Sequence, residues 1–221
     1  MFVLLIVSNS KVKSQGFEGQ ITYRFDIIGG NVDLPDTSIN LLNDTPKGLT
    51  VYTIKNNNFK SVMSNLSDDT LYKTINLYNP KTKDIYYYTN EENGICMIAN
   101  AKEKADKYKF TISRDINDTI FVMGEKCSLV SINYEKDTIE LYYSEKYNVD
   151  TSVLIDDKYE ILNYIYVCGA IPLKIKLKSS TMFYSIEYTA IKVDKKLIDD
   201  KIFVLPKDRQ IVTFPIKVPN E

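Results

Sequence analysis

The sequence predicts a mainly β protein built on a single antiparallel sheet, and three features support this fold class. Apolar and polar residues alternate along residues 17–27, which is the period of a strand with one buried face. Short runs rich in β-branched and aromatic residues then follow one another, separated by turns that contain Asn, Asp or Gly. Few segments have a helical period. We therefore expect a strand content well above the typical value of about 20–25%, with antiparallel pairing throughout.

The predicted strands follow one another along most of the chain. Asn56-Asn57-Asn58 and Asn93-Gly94 supply turn residues that tolerate positive φ. The clearest hairpin is 128–144, which turns at Glu135-Lys136-Asp137. The predicted strands are 17–27, 49–55, 59–66, 71–78, 84–89, 95–99, 108–114, 119–123, 128–134, 138–144, 161–168, 171–177 and 182–193.

Helix is expected only in two short segments. Residues 100–107 predict two turns, and residues 150–158 predict one. Residues 29–48 are rich in Gly, Pro, Asp and Asn, which indicates a long loop or a lid with a short helix near residues 39–42. Whether that segment forms a lid is left open by the sequence.

The start of the chain resembles the end of a secretory leader. Residues 2–7 are apolar, and Val12-Lys13-Ser14 offers a small-residue cleavage site. The run is far shorter than the about 20 residues that a membrane-spanning helix needs. We expect residues 1–14 to be a signal-peptide remnant, residues 15–221 to be a single antiparallel β domain, and the product to be periplasmic or secreted. The alternative is that the apolar run forms a buried first strand.

Composition argues against several classes of function. Lys and Arg number 28 against 29 Asp and Glu, so the net charge of −1 gives no support to nucleic-acid binding. The sequence contains no His, which removes Ser-His-Asp and Cys-His catalysis and the common zinc ligand sets. The adjacent carboxylates at 68–69, 91–92, 156–157 and 199–200 are typical of solvated turns. We therefore expect no enzymatic activity, no metal, no cofactor, no nucleic-acid partner and no transmembrane span.

The sequence contains 17 Tyr and no Trp. The tyrosines at 86–88, 142–143, 164 and 166 suit either the stacking of a ligand or the partly wet face of an antiparallel sheet. The absence of Trp weakens the case for a carbohydrate-stacking surface.

The three cysteines are Cys96, Cys127 and Cys168. An exported chain meets an oxidising compartment, which favours a disulfide, and the odd number of cysteines leaves one thiol over. Cys127 begins one predicted strand and Cys168 ends another, so a Cys127–Cys168 disulfide between strand ends is the first candidate. Three buried, unreacted thiols are the alternative.

The order of motifs resembles a family of uncharacterised exported Bacteroidetes proteins of the DUF4412 and GLPGLI kind. The matching segments are the opening strand at 17–23, Ile-x-x-x-Gly-x-x-Cys at 120–127, Pro172-Leu173-Lys174, and Phe203-Val-Leu-Pro at 203–206. The chain lacks the Gly-Leu-Pro-Gly-Leu-Ile signature, so it is more similar to DUF4412 proteins. Their layout is similar to that of the LolA/LolB-like lipoprotein carriers. The resemblance implies a single curved antiparallel sheet, a half-barrel with one or two short helices or loops on its concave side.

Such a half-barrel implies an apolar concave face as the candidate binding site. Three predicted strands would contribute to it, through Ile21, Tyr23, Phe25, Ile139, Leu141, Tyr143, Leu173, Ile175 and Leu177. Two hypotheses follow: a non-enzymatic cell-envelope protein that binds or carries an apolar or lipid-like ligand, or a structural module that fills its own concave side and contacts an envelope protein. The sequence leaves ligand, partner and oligomeric state open.

Overall fold

The structure is a computed structural model that describes residues 17–29, 47–65, 73–100, 110–134, 137–154, 160–179 and 184–213. Strands account for 70% of this part of the chain, which confirms the mainly β prediction. The strands are β1 (Glu18–Gly29), β2 (Gly48–Lys55), β3 (Asn58–Asn65), β4 (Lys73–Asn79), β5 (Asp84–Thr89), β6 (Ile95–Asn100), β7 (Thr111–Val122), β8 (Glu125–Asn133), β9 (Asp137–Asn148), β10 (Ala170–Ser179), β11 (Tyr184–Lys195) and β12 (Gln210–Thr213). The described residues also contain the α-helix α1 (Glu160–Cys168) and 3-10 helices at Thr151–Leu154 and Asp200–Phe203.

All twelve described strands belong to one curved, unclosed sheet. Its order is β12-β6-β5-β4-β3-β2-β1-β11-β10-β9-β8-β7. Strand β1 therefore lies in the middle, between a meander of β2–β6 and a second meander of β7–β11. The alternation predicted for β1 is confirmed, because Ile21, Tyr23 and Phe25 are buried and Arg24 between them is exposed.

The local turn chemistry explains the hairpins. Asn56 adopts φ 52° between β2 and β3, and Asn93 adopts φ 56° between β5 and β6. The predicted 128–144 hairpin is present as β8 and β9, with Val130 opposite Leu141. The predicted strands 108–114 and 119–123 are joined in β7, whose register against β8 shifts between Asp115 and Thr119.

Two predictions about pairing and secondary structure are wrong. Antiparallel pairing does not extend throughout the sheet, because β12 pairs with β6 in parallel, with Ile211 opposite Cys96. The predicted strand 161–168 is instead helix α1. An apolar run this short does not distinguish a strand from a buried helix by its period. The buried residues Ile161, Leu162, Ile165 and Cys168 fall on one helical face.

The remaining helix and loop predictions are met in part. The predicted turn at 150–158 is a 3-10 helix at Thr151–Leu154, with residues 155–159 outside the described part. The predicted helix 100–107 begins at the last residue of β6, and its other residues lie outside the described part. The loop 29–48 lies outside it too, except at its ends, as do residues 1–14.

The sheet buries a core on each of its faces. Successive residues of β4 separate the two, because Tyr78 belongs to the larger core and Leu77 to the smaller one. The larger core holds β1, the inner faces of both meanders and helix α1. The smaller core lies on the opposite face of β3–β6 and is packed by Phe203 and Leu205 from the segment that leads to β12.

The cysteines are three free, buried thiols, so the predicted Cys127–Cys168 disulfide is absent. The prediction placed both residues at strand ends, whereas Cys168 ends helix α1 and Cys127 lies within β8. Cys127 and Cys168 share the larger core, and Cys96 lies in the smaller one.

Candidate ligand-binding site

The register of the sheet brings the three predicted binding strands onto one face. Phe25 of β1 lies opposite Tyr188 of β11, which lies opposite Ile175 of β10, which lies opposite Leu141 of β9. Side chains that face one another across paired strands point to the same side of a sheet. The predicted residues of β1, β9 and β10 therefore lie on one face of the sheet. Strand β11 connects them, because it pairs with β1 on one side and with β10 on the other.

Most of the nine predicted residues are core residues. Those that the structure buries are Ile21, Tyr23, Phe25, Leu141, Leu173 and Ile175. The Tyr23 hydroxyl donates a hydrogen bond of 2.6 Å to the carbonyl oxygen of Pro172, which ties the middle of the sheet to β10. Helix α1 packs on β9 and β10 and places Ile161, Leu162 and Ile165 in this same core. These six residues are therefore buried within the protein and are not exposed at the surface of the sheet.

Three predicted residues, Ile139, Tyr143 and Leu177, remain half-buried. Ile139 and Leu177 are direct neighbours across β9 and β10, and both line a pocket of about 490 Å³. The pocket lies where β8 and β10 end and where β9 and β11 begin, at one end of the sheet face that carries the larger core. Its described lining is Tyr134, Asp137, Thr138, Ile139, Tyr164, Leu177, Lys178, Ser179, Tyr184 and Ile186.

Aliphatic side chains form one part of the pocket wall. Ile186 of β11 lies opposite Leu177, which lies opposite Ile139, so three aliphatic side chains cross the wall in one row. Tyr164 of helix α1 and Tyr184 at the start of β11 add aromatic rings. The half-buried state of these five residues means that a ligand in the pocket would remove apolar surface from water.

The polar residues of the lining lie mainly at its edge. Asp137 and Lys178 are exposed, and the Lys178 ammonium forms an ion pair with Glu140. Burial raises the pKa of the Tyr134 hydroxyl, and the negative charge of Asp137 raises it further. Tyr134 also contacts the ring of Phe110, with 5.9 Å between ring centroids. The Tyr134 hydroxyl is therefore neutral over the ordinary pH range.

Sequence reasoning missed most of the pocket. The sequence singles out Tyr164 as a possible stacking residue, but on a strand, and the helix places it differently. Tyr134, Tyr184 and Ile186 carry no signal of their own in the sequence, because each is an ordinary strand or turn residue. These residues come together because the ends of four strands, β8, β9, β10 and β11, lie next to helix α1.

No group of three or more His, Cys, Asp or Glu that could hold a metal ion occurs among the described residues. Within the same part of the chain, no helix is both long and apolar enough to cross a bilayer.

The similarity of this chain to known proteins is a similarity of fold only. No protein-family model matches the chain, and no curated protein sequence matches it significantly. An uncharacterized conserved protein from Thermus thermophilus is similar in structure, with a TM-score of 0.50, 10% identity, and coverage of 89% of this chain and 91% of that one. Structures of PNGF-II reach a TM-score of 0.45 at 14% identity, covering 89% of this chain and 31% of PNGF-II. MucB, solved in complex with MucA(peri), reaches 0.41 at 11% identity, covering 90% of this chain and 57% of MucB. The chain thus spans about a third of the length of PNGF-II.

Proposed function

We propose that this protein is a non-enzymatic binding or carrier protein that holds an apolar or lipid-like ligand in the pocket beside helix α1. The observation that carries the proposal is the position of Ile139 and Leu177. These two residues continue the apolar face of the sheet into a pocket of about 490 Å³. That volume falls within the range of about 300–1,000 Å³ that is typical of small-molecule sites.

The energetics of apolar burial favour a chain-like ligand. Each methylene that leaves water for an apolar wall contributes about 0.8 kcal/mol. The row of Ile139, Leu177 and Ile186 offers such a wall. The six buried residues of the predicted site would then shape and support the pocket without touching the ligand.

The second candidate is a structural or interaction module of the cell envelope with a self-filled core. It is favoured by helix α1, which packs Ile161, Leu162 and Ile165 onto the face where a carrier would be open. The two candidates differ in one respect that can be measured, which is the occupancy of the remaining pocket.

The proposal includes export of the chain to the periplasm or the medium, on the basis of its leader-like start. It also includes membership of the DUF4412-like group, on the basis of the motif order from residue 17 to residue 206.

Ligand binding can be tested by displacement of a fluorescent fatty acid from the full chain, with native mass spectrometry to detect co-purified lipid. The variant Ile186→Trp fills the pocket and should reduce binding. The matched control Ile191→Trp places the same side chain on the same strand at a site that is 50% exposed, and it should leave binding unchanged. Absence of binding by the wild-type chain, with no co-purified lipid, would favour the self-filled module.

A further inference from the structure

We propose that the ligand of this pocket is a single-chain amphiphile with a cationic ammonium head group. This inference rests on the proposed function, because it specifies which apolar ligand the same pocket takes. It goes beyond the proposed function by assigning the head group to Tyr134, Tyr164, Tyr184 and Asp137. Asp137 and Tyr184 lie two residues before Ile139 and Ile186 on β9 and β11, next to the aliphatic row at the end of the sheet.

The three tyrosines reach the pocket from three separate elements. Tyr134 follows β8, Tyr164 projects from helix α1, and Tyr184 begins β11. The face of an aromatic ring carries negative electrostatic potential, and an alkylammonium group within about 6 Å of a ring centroid is attracted to it. Several aromatic side chains around one cavity form the kind of site that recognises quaternary ammonium groups.

The charges of the lining favour the same sign of ligand. Lys178 and Asp137 are the charged residues among the described lining, and the Lys178 ammonium is already engaged by Glu140. No ion pair within the described ranges engages the Asp137 carboxylate. The charge left for a ligand in this part of the chain is therefore negative.

The position of Asp137 also places that charge beside the aromatic group. The backbone N–H of Tyr134 donates to the carbonyl oxygen of Asp137 at 2.8 Å, so the two residues are adjacent across the turn between β8 and β9. The negative charge of Asp137 contributes to the raised pKa of Tyr134, in addition to burial. A carboxylate at the edge of the pocket, next to Tyr134, stabilises a bound cation and repels a bound anion.

The test compares three amphiphiles of equal chain length on the full chain by isothermal titration calorimetry, with the ionic ones below their critical micelle concentrations and the alcohol below its solubility limit. They are decyltrimethylammonium, decanol and decanoate. We expect decyltrimethylammonium to bind about 3- to 30-fold more tightly than decanol, which is the range that cation–π contacts and one nearby charge provide. Decanoate should bind most weakly.

Two variants assign the preference to its residues. Asp137→Asn and, separately, Tyr184→Leu should each reduce the advantage of decyltrimethylammonium over decanol while leaving decanol binding nearly unchanged. The control Glu145→Gln removes a carboxylate from an exposed position on the same strand as Asp137 and should change neither affinity. Circular dichroism verifies that each variant is folded.

The outcomes separate this inference from the proposed function. Binding of decanol or decanoate as tight as that of decyltrimethylammonium overturns the cationic head group and leaves the apolar pocket standing. An unchanged preference in both Asp137→Asn and Tyr184→Leu overturns the assignment of the head group to these residues. Failure of all three amphiphiles to bind overturns the proposed function together with this inference.

Discussion

Substitution of Tyr23 by Phe tests whether one buried hydrogen bond ties the middle of the sheet to β10. Tyr23 is fully buried, and its hydroxyl donates to the Pro172 carbonyl oxygen at 2.6 Å. Phe retains the ring and its edge-on contacts with Tyr52 and Tyr188, at 5.9 and 6.5 Å between centroids. The substitution therefore removes the hydroxyl and little else.

The expected loss of unfolding free energy is about 1–3 kcal/mol. A hydrogen bond contributes a net of about 0.5–1.5 kcal/mol, and a buried partner left without a donor costs about 1–3 kcal/mol. For a chain of this size, each kcal/mol lowers the melting temperature by about 2–4 °C. Burial, with a smaller contribution from the Cys168 thiol, raises the pKa of Tyr23, so the hydroxyl stays protonated and the loss should not depend on pH in the neutral range.

Urea denaturation followed by circular dichroism measures this loss. The control is Tyr147→Phe, because Tyr147 is half-buried on β9 and its hydroxyl makes no hydrogen bond within the described part of the chain. The control should change stability by less than about 0.5 kcal/mol. If Tyr23→Phe is as stable as the control, the hydrogen bond to Pro172 contributes nothing to the fold and the reasoning is refuted.

Three further predictions concern charge, thiols and the helix. Burial opposes ionisation of Glu187, but hydrogen bonds from Lys174 and Lys176 outweigh it and hold its pKa below the ordinary value. Glu187→Gln should therefore destabilise the protein by about 1–3 kcal/mol at neutral pH. The difference in urea midpoint between the wild type and this variant should disappear as the pH falls through the lowered pKa, because protonation of Glu187 removes the same stabilisation from the wild type. Burial raises the pKa of the Cys168 thiol to about 12, although the positive charge of Arg114 opposes the increase. Alkylation of the native protein should therefore be slow, and unfolding should make all three thiols reactive. Rapid labelling of Cys168 in the native protein would contradict this. Ile165→Ala should cost about 2–5 kcal/mol in the same denaturation assay, because it opens a cavity between α1 and the sheet, and a cost below about 1 kcal/mol argues against that packing.

Features that depend on neighbours in the sequence were predictable. The alternation of β1 requires only a period of two, and the β2–β3 turn requires only a residue such as Asn56 that tolerates positive φ. The β8–β9 hairpin follows from two alternating runs separated by a short turn. Each of these is decided by interactions between residues close together in the chain.

Features that depend on distant partners were not predictable in this way. Residues 161–168 have the same apolar content as a buried strand, and it is packing against β9 and β10 that buries one side of them as a helix. The parallel pairing of β12 with β6 joins segments more than one hundred residues apart through four pairs of residues.

The candidate site also has a part that the sequence predicts and a part that depends on contacts between distant segments. The sequence by itself determined the apolar stripes that contain Ile139 and Leu177, because a half-buried strand must alternate. Only the tertiary structure decided that Tyr134, Tyr164 and Tyr184 meet beside them, since these residues come from two strand ends and a helix. Local sequence patterns decide which face of each strand is apolar. The position of a pocket depends on where separate strands and helices leave space between them, which only the arrangement of the whole sheet determines.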